Sequence, residues 1–200
     1  MKTLFISLCV LALVAFTVSD SQLTDEERKM AVSELSTSLD RLMDALEDLT
    51  KDQLNYKVTE DSWSIAECVE HITISEVAFS DMLQGLVQSP ADPKNREKVQ
   101  IKDADLIAMM KDRSNKVKTQ KPFEPTGKFG THDATMETFV EKRRANIEYV
   151  KTTKDDLRNR AQTFPFGTVD GYQIILFMSA HSDRHISQME EIMDSDGFPE

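Results

Sequence analysis

Ala180-His181-Ser182-Asp183-Arg184-His185-Ile186-Ser187-Gln188 carries the most informative spacing in this chain. It lies within an apolar stretch, residues 172–193, whose periodicity predicts a helix. Two histidines four residues apart lie one turn apart on one helix face, and neutral imidazoles placed in this way can bind one transition metal ion. The stripe that contains both histidines is otherwise mostly apolar and consists of Ile174, Met178, His181, His185, Gln188 and Ile192. A helix buries such a stripe, so we expect both imidazoles to face the core, where their nitrogens need partners.

Two long helices are predicted at the start of the folded domain. The first begins at Thr24, whose hydroxyl can cap it, and is expected to end near Thr50. The second begins at Ser64, with Glu67 at the third helical position as in a capping box. It is expected to stop near Gln88, because prolines follow.

A long crossover separates these helices from the last two. Residues 89–130 are rich in proline, glycine and charge and contain one short predicted helix, residues 104–118. The third long helix is predicted over residues 135–160, and Thr168 is expected to cap the fourth. Such a connection is too long for a tight turn between antiparallel neighbours, which favours parallel second and third helices. Because we find no strand-like alternation of useful length, the sequence predicts an all-α four-helix bundle over residues 24–197.

The histidine pair needs a third ligand to form a catalytic metal site, which has three protein ligands and one open position. Only His71 and His132 remain as candidates among the histidines. His71 lies on the inward edge of the second helix, whereas His132 lies in a polar loop before the third. Bundle ligands project inward from facing helices, so His71 is favoured and His132 is the alternative.

For three side chains near these histidines, the sequence allows more than one role. Gln188, three residues after His185, can hydrogen-bond the nitrogen of that imidazole that faces away from the metal, or it can simply lie at the core boundary. Glu67, one turn before His71, can hold the outer nitrogen of that imidazole, although the capping box is its favoured role. Cys68 can be a metal ligand, but a small buried thiol is more often inert.

Two motifs together resemble those of a known family. Trp63-Ser64-Ile65-Ala66-Glu67-Cys68-Val69-Glu70-His71-Ile72, followed much later by His181-Ser182-Asp183-Arg184-His185-Ile186-Ser187-Gln188, is similar to the DinB-like superfamily, which includes the YfiT-like metal-dependent hydrolases. The resemblance covers essentially the whole chain after its first residues. It implies an up-down-down-up bundle and a zinc or nickel site whose ligands fall on His71, His181 and His185. Some relatives use cytoplasmic low-molecular-weight thiols as substrates.

The first 19 residues have the character of a secretory signal peptide. Lys2 gives a basic start, residues 4–18 form an apolar run, and Thr17-Val18-Ser19 offers small residues for cleavage. The apolar run is short for a membrane span, which needs about 20 residues, so a cleaved signal peptide is favoured and an uncleaved N-terminal anchor is the alternative. We therefore expect export to the periplasm or the medium and no membrane attachment after cleavage.

The composition limits the classes of partner. The chain has a net charge of −11, and loss of Lys2, the only charge in the leader, would change it to −12. An acidic surface disfavours binding to a nucleic-acid backbone, so we expect a small-molecule substrate and no nucleic acid. Cys68 would be the only cysteine of the processed chain, which excludes an internal disulfide. A homodimer is compatible with these features.

These features favour a metalloenzyme that acts as a hydrolase or a thiol S-transferase. Three histidine ligands would leave one position for water, and no further catalytic residue can be named from the sequence. One alternative is a non-catalytic bundle stabilised by a closed metal site, which a fourth ligand from Cys68 or His132 would favour. Another is a helical interaction module, which the absence of metal from the purified protein would favour.

Overall fold

The computed structural model describes residues 22–200, so the predicted signal peptide, residues 1–19, lies outside the described residues. The described part is mostly helical. Its elements in chain order are α1 (Asp25–Leu46), α2 (Lys51–Asn55), α3 (Ile65–Gln88), α4 (Lys94–Lys98), α5 (Asp103–Lys111), α6 (His132–Thr152), β1 (Ala161–Phe164), β2 (Gly167–Asp170) and α7 (Gly171–Met193). The four long helices α1, α3, α6 and α7 form the bundle, in which α1 and α3 each pack against both α6 and α7.

Hydrogen bonds between helix ends give the direction of α1 relative to its two neighbours. Tyr172, in the first turn of α7, donates its hydroxyl to the carbonyl of Glu27 in the first turn of α1, at 3.0 Å. The starts of these helices therefore meet, and the helices run parallel. Arg28 near the start of α1 donates to the carbonyl of Thr153 at the end of α6, at 3.1 Å, so α1 and α6 are antiparallel.

The central helices α3 and α6 also run parallel. Arg143 of α6 pairs with Glu76 of α3 at 2.8 Å, and one turn further along both helices Ser80 donates to Asn146 at 3.0 Å. The order of the four helices is therefore up-down-down-up. The predicted fold class is confirmed, including the long crossover between the second and third long helices.

A short β-hairpin lies directly before α7. Strands β1 and β2 pair antiparallel, with Phe164 opposite Gly167 at the turn. Because each strand has only four residues, the sequence shows no useful alternation there, and the hairpin was not predicted. Because the hairpin extends to residue 170, α7 begins only at Gly171. Asp170 caps this helix and Gln173 completes a capping box, so the predicted cap at Thr168 is wrong.

Three predicted helix ends lie too far along the chain. The first helix ends at Leu46 rather than near Thr50, which instead caps the short helix α2. The third long helix covers residues 132–152 and not 135–160. Where it ends, the backbone amide of Asp155 donates to the hydroxyl of Thr153 at 3.0 Å, a local side-chain bond that competes with continuation of the helix. The short crossover helix ends at Lys111, seven residues before its predicted limit.

The core formed by residues 22–200 has two apolar clusters at different levels of the bundle. One includes Tyr172 and residues 174–178 of α7 with Phe79 and Leu83, and the other includes Ile186, Met189 and Ile192 of the same helix. The two histidines of α7 lie in the interval between these clusters. No helix within residues 22–200 is long and apolar enough to span a bilayer.

Charged side chains are also buried between the two apolar clusters, at the level of the histidines. The guanidinium of Arg143 is 0% exposed and binds both carboxylate oxygens of Glu76 at 2.8 Å. It also donates to the hydroxyl of Ser182, the residue after His181, at 2.7 Å. A buried charge of this kind is tolerated only with such partners, so this network fixes the relative positions of α3, α6 and α7 beside the histidines.

Candidate metal centre

Three imidazoles from two facing helices meet inside the bundle. His71 comes from α3, and His181 and His185 come from successive turns of α7. One ring nitrogen of each lies within 4.8 Å of the corresponding nitrogen of the other two. The Nε2 atoms of His71 and His181 are 3.3 Å apart. Two nitrogens bound to one tetrahedral zinc ion at about 2.0–2.1 Å would be separated by about 3.4 Å, so this spacing suits a shared metal.

The outer nitrogens of two imidazoles have fixed partners. Nδ1 of His71 lies 2.7 Å from the carbonyl oxygen of Phe123, and Nδ1 of His185 lies 2.9 Å from Oε1 of Gln188. A carbonyl oxygen can only accept a hydrogen bond, so each Nδ1 is assigned the proton and each Nε2 keeps its lone pair. Metal-binding histidines in proteins usually have such a partner on the nitrogen that faces away from the metal. The residues present therefore fit a metal ion.

The surroundings of the three imidazoles favour their neutral forms. Burial lowers the pKa of His71, and it lowers the pKa of His185 to about 3, with the His71 imidazole adding a smaller effect. The pKa of His181 lies well below its ordinary value because of burial and then the nearby His185 and His71 rings. Since the neutral imidazole is the form that binds metal, these nitrogens are available at neutral pH without loss of a proton.

The carbonyl that holds His71 comes from the crossover between α3 and α6. Phe123 lies in a single 3-10 turn, Lys121–Phe123, and its ring packs on that of Phe79 with centroids 5.9 Å apart. A few residues later the backbone amides of residues 126–128 all donate to the carboxylate of Glu70. Glu70 directly precedes His71 in α3. The crossover is therefore attached to α3 at the position of one candidate ligand.

Aromatic rings surround the histidine cluster. The Trp63 ring lies 4.9 Å from the His71 ring and 6.2 Å from that of His185, measured between centroids. Phe177 stacks on His181 with an interplanar angle of 8° and a centroid distance of 5.7 Å. His71 is 4% exposed and His185 is 8% exposed, whereas His181 retains intermediate exposure. His181 is therefore the most exposed of the three residues.

Of the two residues expected to support the histidines, Gln188 contacts His185, and Glu67 has other partners. Glu67 does not contact His71, because its carboxylate accepts from the Ser64 amide at 2.8 Å and pairs with Lys57 at 2.8 Å. The suggestion that Glu67 supports His71 is therefore wrong, and the cap is its role.

The two candidates for a fourth or alternative ligand lie outside the cluster. Cys68 is 0% exposed within the apolar core, and burial raises the pKa of its thiol to about 12. His132 is the first residue of α6 and is absent from the group of ligand atoms formed by His71, His181 and His185. Among the described residues, this group contains three histidines, no cysteine and no carboxylate.

Sequence reasoning missed two parts of the site. The Phe123 carbonyl could not be found, because every residue has a backbone carbonyl and only the tertiary fold selects one of them. Glu70 was missed although it is adjacent to His71, because its partners are backbone amides in a segment predicted only as irregular crossover. The proline and glycine content of residues 122–130 indicated turns there, but not which helix they would contact.

Comparison with known proteins relates the chain to one family. A family model described as the DinB superfamily matches residues 34–189. The uncharacterized protein YuaE of Bacillus subtilis (strain 168) is 26% identical over 150 residues, which are 74% of this chain and 88% of that protein. A solved structure of YfiT from Bacillus subtilis, described as a probable metal-dependent hydrolase with an unusual four-helix bundle topology, aligns with a TM-score of 0.52 and 16% identity. That alignment covers 86% of this chain and 88% of the YfiT chain, and it supports the shared bundle fold.

Proposed function

The chain belongs to the DinB superfamily, and on that basis we propose that it is a metalloenzyme, in the first place a metal-dependent hydrolase. The proposed ligands of a divalent zinc or nickel ion are His71, His181 and His185. The observation that carries the proposal is the convergence of three imidazoles with ligand nitrogens within 4.8 Å of one another, two of which have the outer nitrogen bonded to an acceptor. The description of YfiT as a probable metal-dependent hydrolase supports the same class of reaction.

The proposed chemistry follows from the charge of the ligand set. Three neutral imidazoles would leave the full charge of a divalent ion at the site, and such an ion acidifies a coordinated water and polarises a substrate carbonyl. The chain supplies the Nε2 donors and fixes the rings of His71 and His185 through the Phe123 carbonyl and Gln188. The nearby carboxylates have other partners, so we assign no side-chain general base.

An open site is favoured over a closed structural one. A closed zinc site has four protein ligands, whereas the cluster contains three. Cys68 is held in the apolar core as a thiol, and His132 lies outside the cluster. The partial exposure of His181 is also consistent with access by a small substrate.

The proposed location bears on the choice of reaction. We propose that residues 1–19 direct export, on the strength of the basic start, the apolar run and the small residues that follow. An exported enzyme would not meet cytoplasmic low-molecular-weight thiols, so hydrolysis is favoured over S-transfer. The intact mass of protein from a secretion-competent host tests this: loss of about the first 19 residues supports export, and a full-length cytoplasmic product contradicts it.

The decisive experiment for the reaction combines metal exchange with assays of both reaction classes. Metal-free protein, and protein reloaded with zinc or nickel, would be assayed on 4-nitrophenyl esters, aryl amides and a thiol-conjugation substrate. We expect ester or amide hydrolysis that requires metal, is lost in His181→Ala and is retained in His132→Ala. Hydrolysis that is equal with and without metal would contradict the proposal, and metal-dependent thiol conjugation without hydrolysis would favour the transferase.

A further inference from the structure

Glu70 uses its carboxylate to hold a bend of the crossover. The backbone amides of Thr126, Gly127 and Lys128 donate to it at 3.1, 3.0 and 2.6 Å. Gly127 has a φ of +76°, in the left-handed region that glycine adopts most easily, and this conformation turns successive amides toward one acceptor. Glu70 is only 9% exposed, so three charge-assisted hydrogen bonds replace most of its hydration.

The same segment supplies the acceptor for His71. The Phe123 carbonyl accepts from Nδ1 of His71 at 2.7 Å, and only two residues separate Phe123 from the amides that bind Glu70. Glu70 and His71 are neighbours in α3, so one turn of that helix holds the crossover at two adjacent points. The carbonyl is outside the four-helix bundle and has no helix or strand of its own beyond the 3-10 turn to fix its position.

We infer that Glu70 is a positioning residue for the metal centre, which it does not touch. By holding residues 126–128 it keeps the Phe123 carbonyl against Nδ1 of His71, and this contact sets both the tautomer and the orientation of that ligand. The inference rests on the proposed metal site and adds a residue that controls it. The coupling is reciprocal, so occupation of the site also stabilises the crossover bend.

The substitution Glu70→Gln tests this role with little change in side-chain shape. The amide keeps one acceptor oxygen but replaces the other with a donor, which faces a backbone amide that also donates. The bend loses charge-assisted bonds, and the Phe123 carbonyl loses its fixed position. Removal of a partner behind a metal-binding histidine typically weakens metal binding about 10–100-fold; because Glu70→Gln loosens the Phe123 carbonyl without removing it, we expect a loss of about 10-fold, at the lower end of that range.

A second variant perturbs the same bend without altering α3. Gly127→Ala introduces a side chain into open space, with nothing within 4 Å of the new Cβ, so its effect comes from the φ of +76°. We expect this variant to weaken metal binding in the same direction as Glu70→Gln. Glu67→Gln is the matched control, because Glu67 lies on the same helix and its carboxylate bonds to Ser64 and Lys57 rather than to the crossover.

The experiment measures zinc affinity by chelator competition and the His71 tautomer by nitrogen NMR in the metal-free protein. We expect Nδ1–H in wild type and Glu67→Gln, and loss of that single tautomer together with weaker zinc binding in Glu70→Gln and Gly127→Ala. Wild-type affinity and an unchanged tautomer in both bend variants would overturn the inference while leaving the metal site intact. A wild-type protein that binds no zinc would overturn the proposed function, and the tautomer comparison would still decide whether Glu70 positions His71.

Discussion

Nε2 of His71 and Nε2 of His181 lie 3.3 Å apart although the two residues are 110 positions apart in the chain. This contact joins α3 to α7 through two nitrogens, at least one of which presents a lone pair. A metal ion between them would bind the folded chain far better than the unfolded one. The resulting gain in unfolding free energy is about 4 kcal/mol when free metal exceeds Kd a thousandfold.

Removal of metal is therefore expected to lower the melting temperature at pH 7.5 by several degrees. The pKa values of His71, His181 and His185 in the fold lie below the unfolded value of about 6.5. Their neutral forms therefore contribute stability that is complete above about pH 6.5 and is lost as pH falls toward the folded pKa values. Protons compete with metal for the folded site only as the pH approaches these lowered pKa values, so the chelator effect is expected to decline mainly below about pH 5.

Calorimetry of metal-loaded and chelator-treated protein at pH 7.5 and below about pH 5 measures this difference. Identical melting curves at pH 7.5, on protein shown to have been loaded and then stripped, would mean that the site does not support the fold.

Gln188→Leu is expected to weaken metal binding while leaving the three imidazoles in place. The change removes the oxygen that lies 2.9 Å from Nδ1 of His185, so this ring loses its fixed tautomer and orientation. We expect Kd for zinc to rise about 10–100-fold. Chelator competition measures the affinity, and Glu67→Gln again serves as the control. An unchanged Kd would show that Gln188 is only a boundary residue.

Cys68 is expected to resist alkylation in the native protein. It is 0% exposed, and burial raises its pKa to about 12, so the reactive thiolate is scarce at pH 8. Peptide mass mapping after iodoacetamide treatment is expected to show negligible modification of Cys68 in buffer and complete modification in urea. Rapid native modification that metal prevents would instead favour Cys68 as a ligand.

Glu76→Leu is expected to destabilise the metal-free fold by about 3–5 kcal/mol, because it leaves the buried Arg143 guanidinium without its counter-charge. Arg143 is 0% exposed and binds Glu76 through two hydrogen bonds, so water cannot replace the carboxylate. Urea unfolding of chelated protein measures the change. The control Glu148→Gln, at a surface pair 4.0 Å apart, is expected to change the unfolding free energy by less than about 0.5 kcal/mol. Equal effects of both variants would contradict this role of the pair.

The sequence predicted the four long helices because the relevant signals are local, whereas the short helices α2 and α4 were not predicted. The capping boxes at Thr24 and Ser64 are complete within four residues, and both helices begin where these motifs predict. The β-hairpin was missed because strands of four residues are too short to show a period. The cap of α7 was consequently assigned to Thr168 instead of Asp170.

From the sequence, only those site residues could be predicted whose spacing within a helix indicates the face on which they lie. His181 and His185 share a helix face, and His71 was chosen because it lies on the inward edge of another helix. The Phe123 carbonyl and the bend held by Glu70 depend on where the crossover returns to α3, which no local pattern reveals. Glu67 shows the reverse case: its spacing from His71 allowed a contact, but the stronger capping interaction holds it.

Elemental analysis of purified protein tests the central claim most directly. We expect about one transition metal ion per wild-type chain and per His132→Ala chain, because His132 lies outside the cluster. His71→Ala, His181→Ala and His185→Ala should each lose the metal, since two imidazoles remain in each case. Full occupancy in His71→Ala would contradict the assignment of the third ligand, and a metal-free wild type that cannot be loaded with zinc or nickel would contradict the account as a whole.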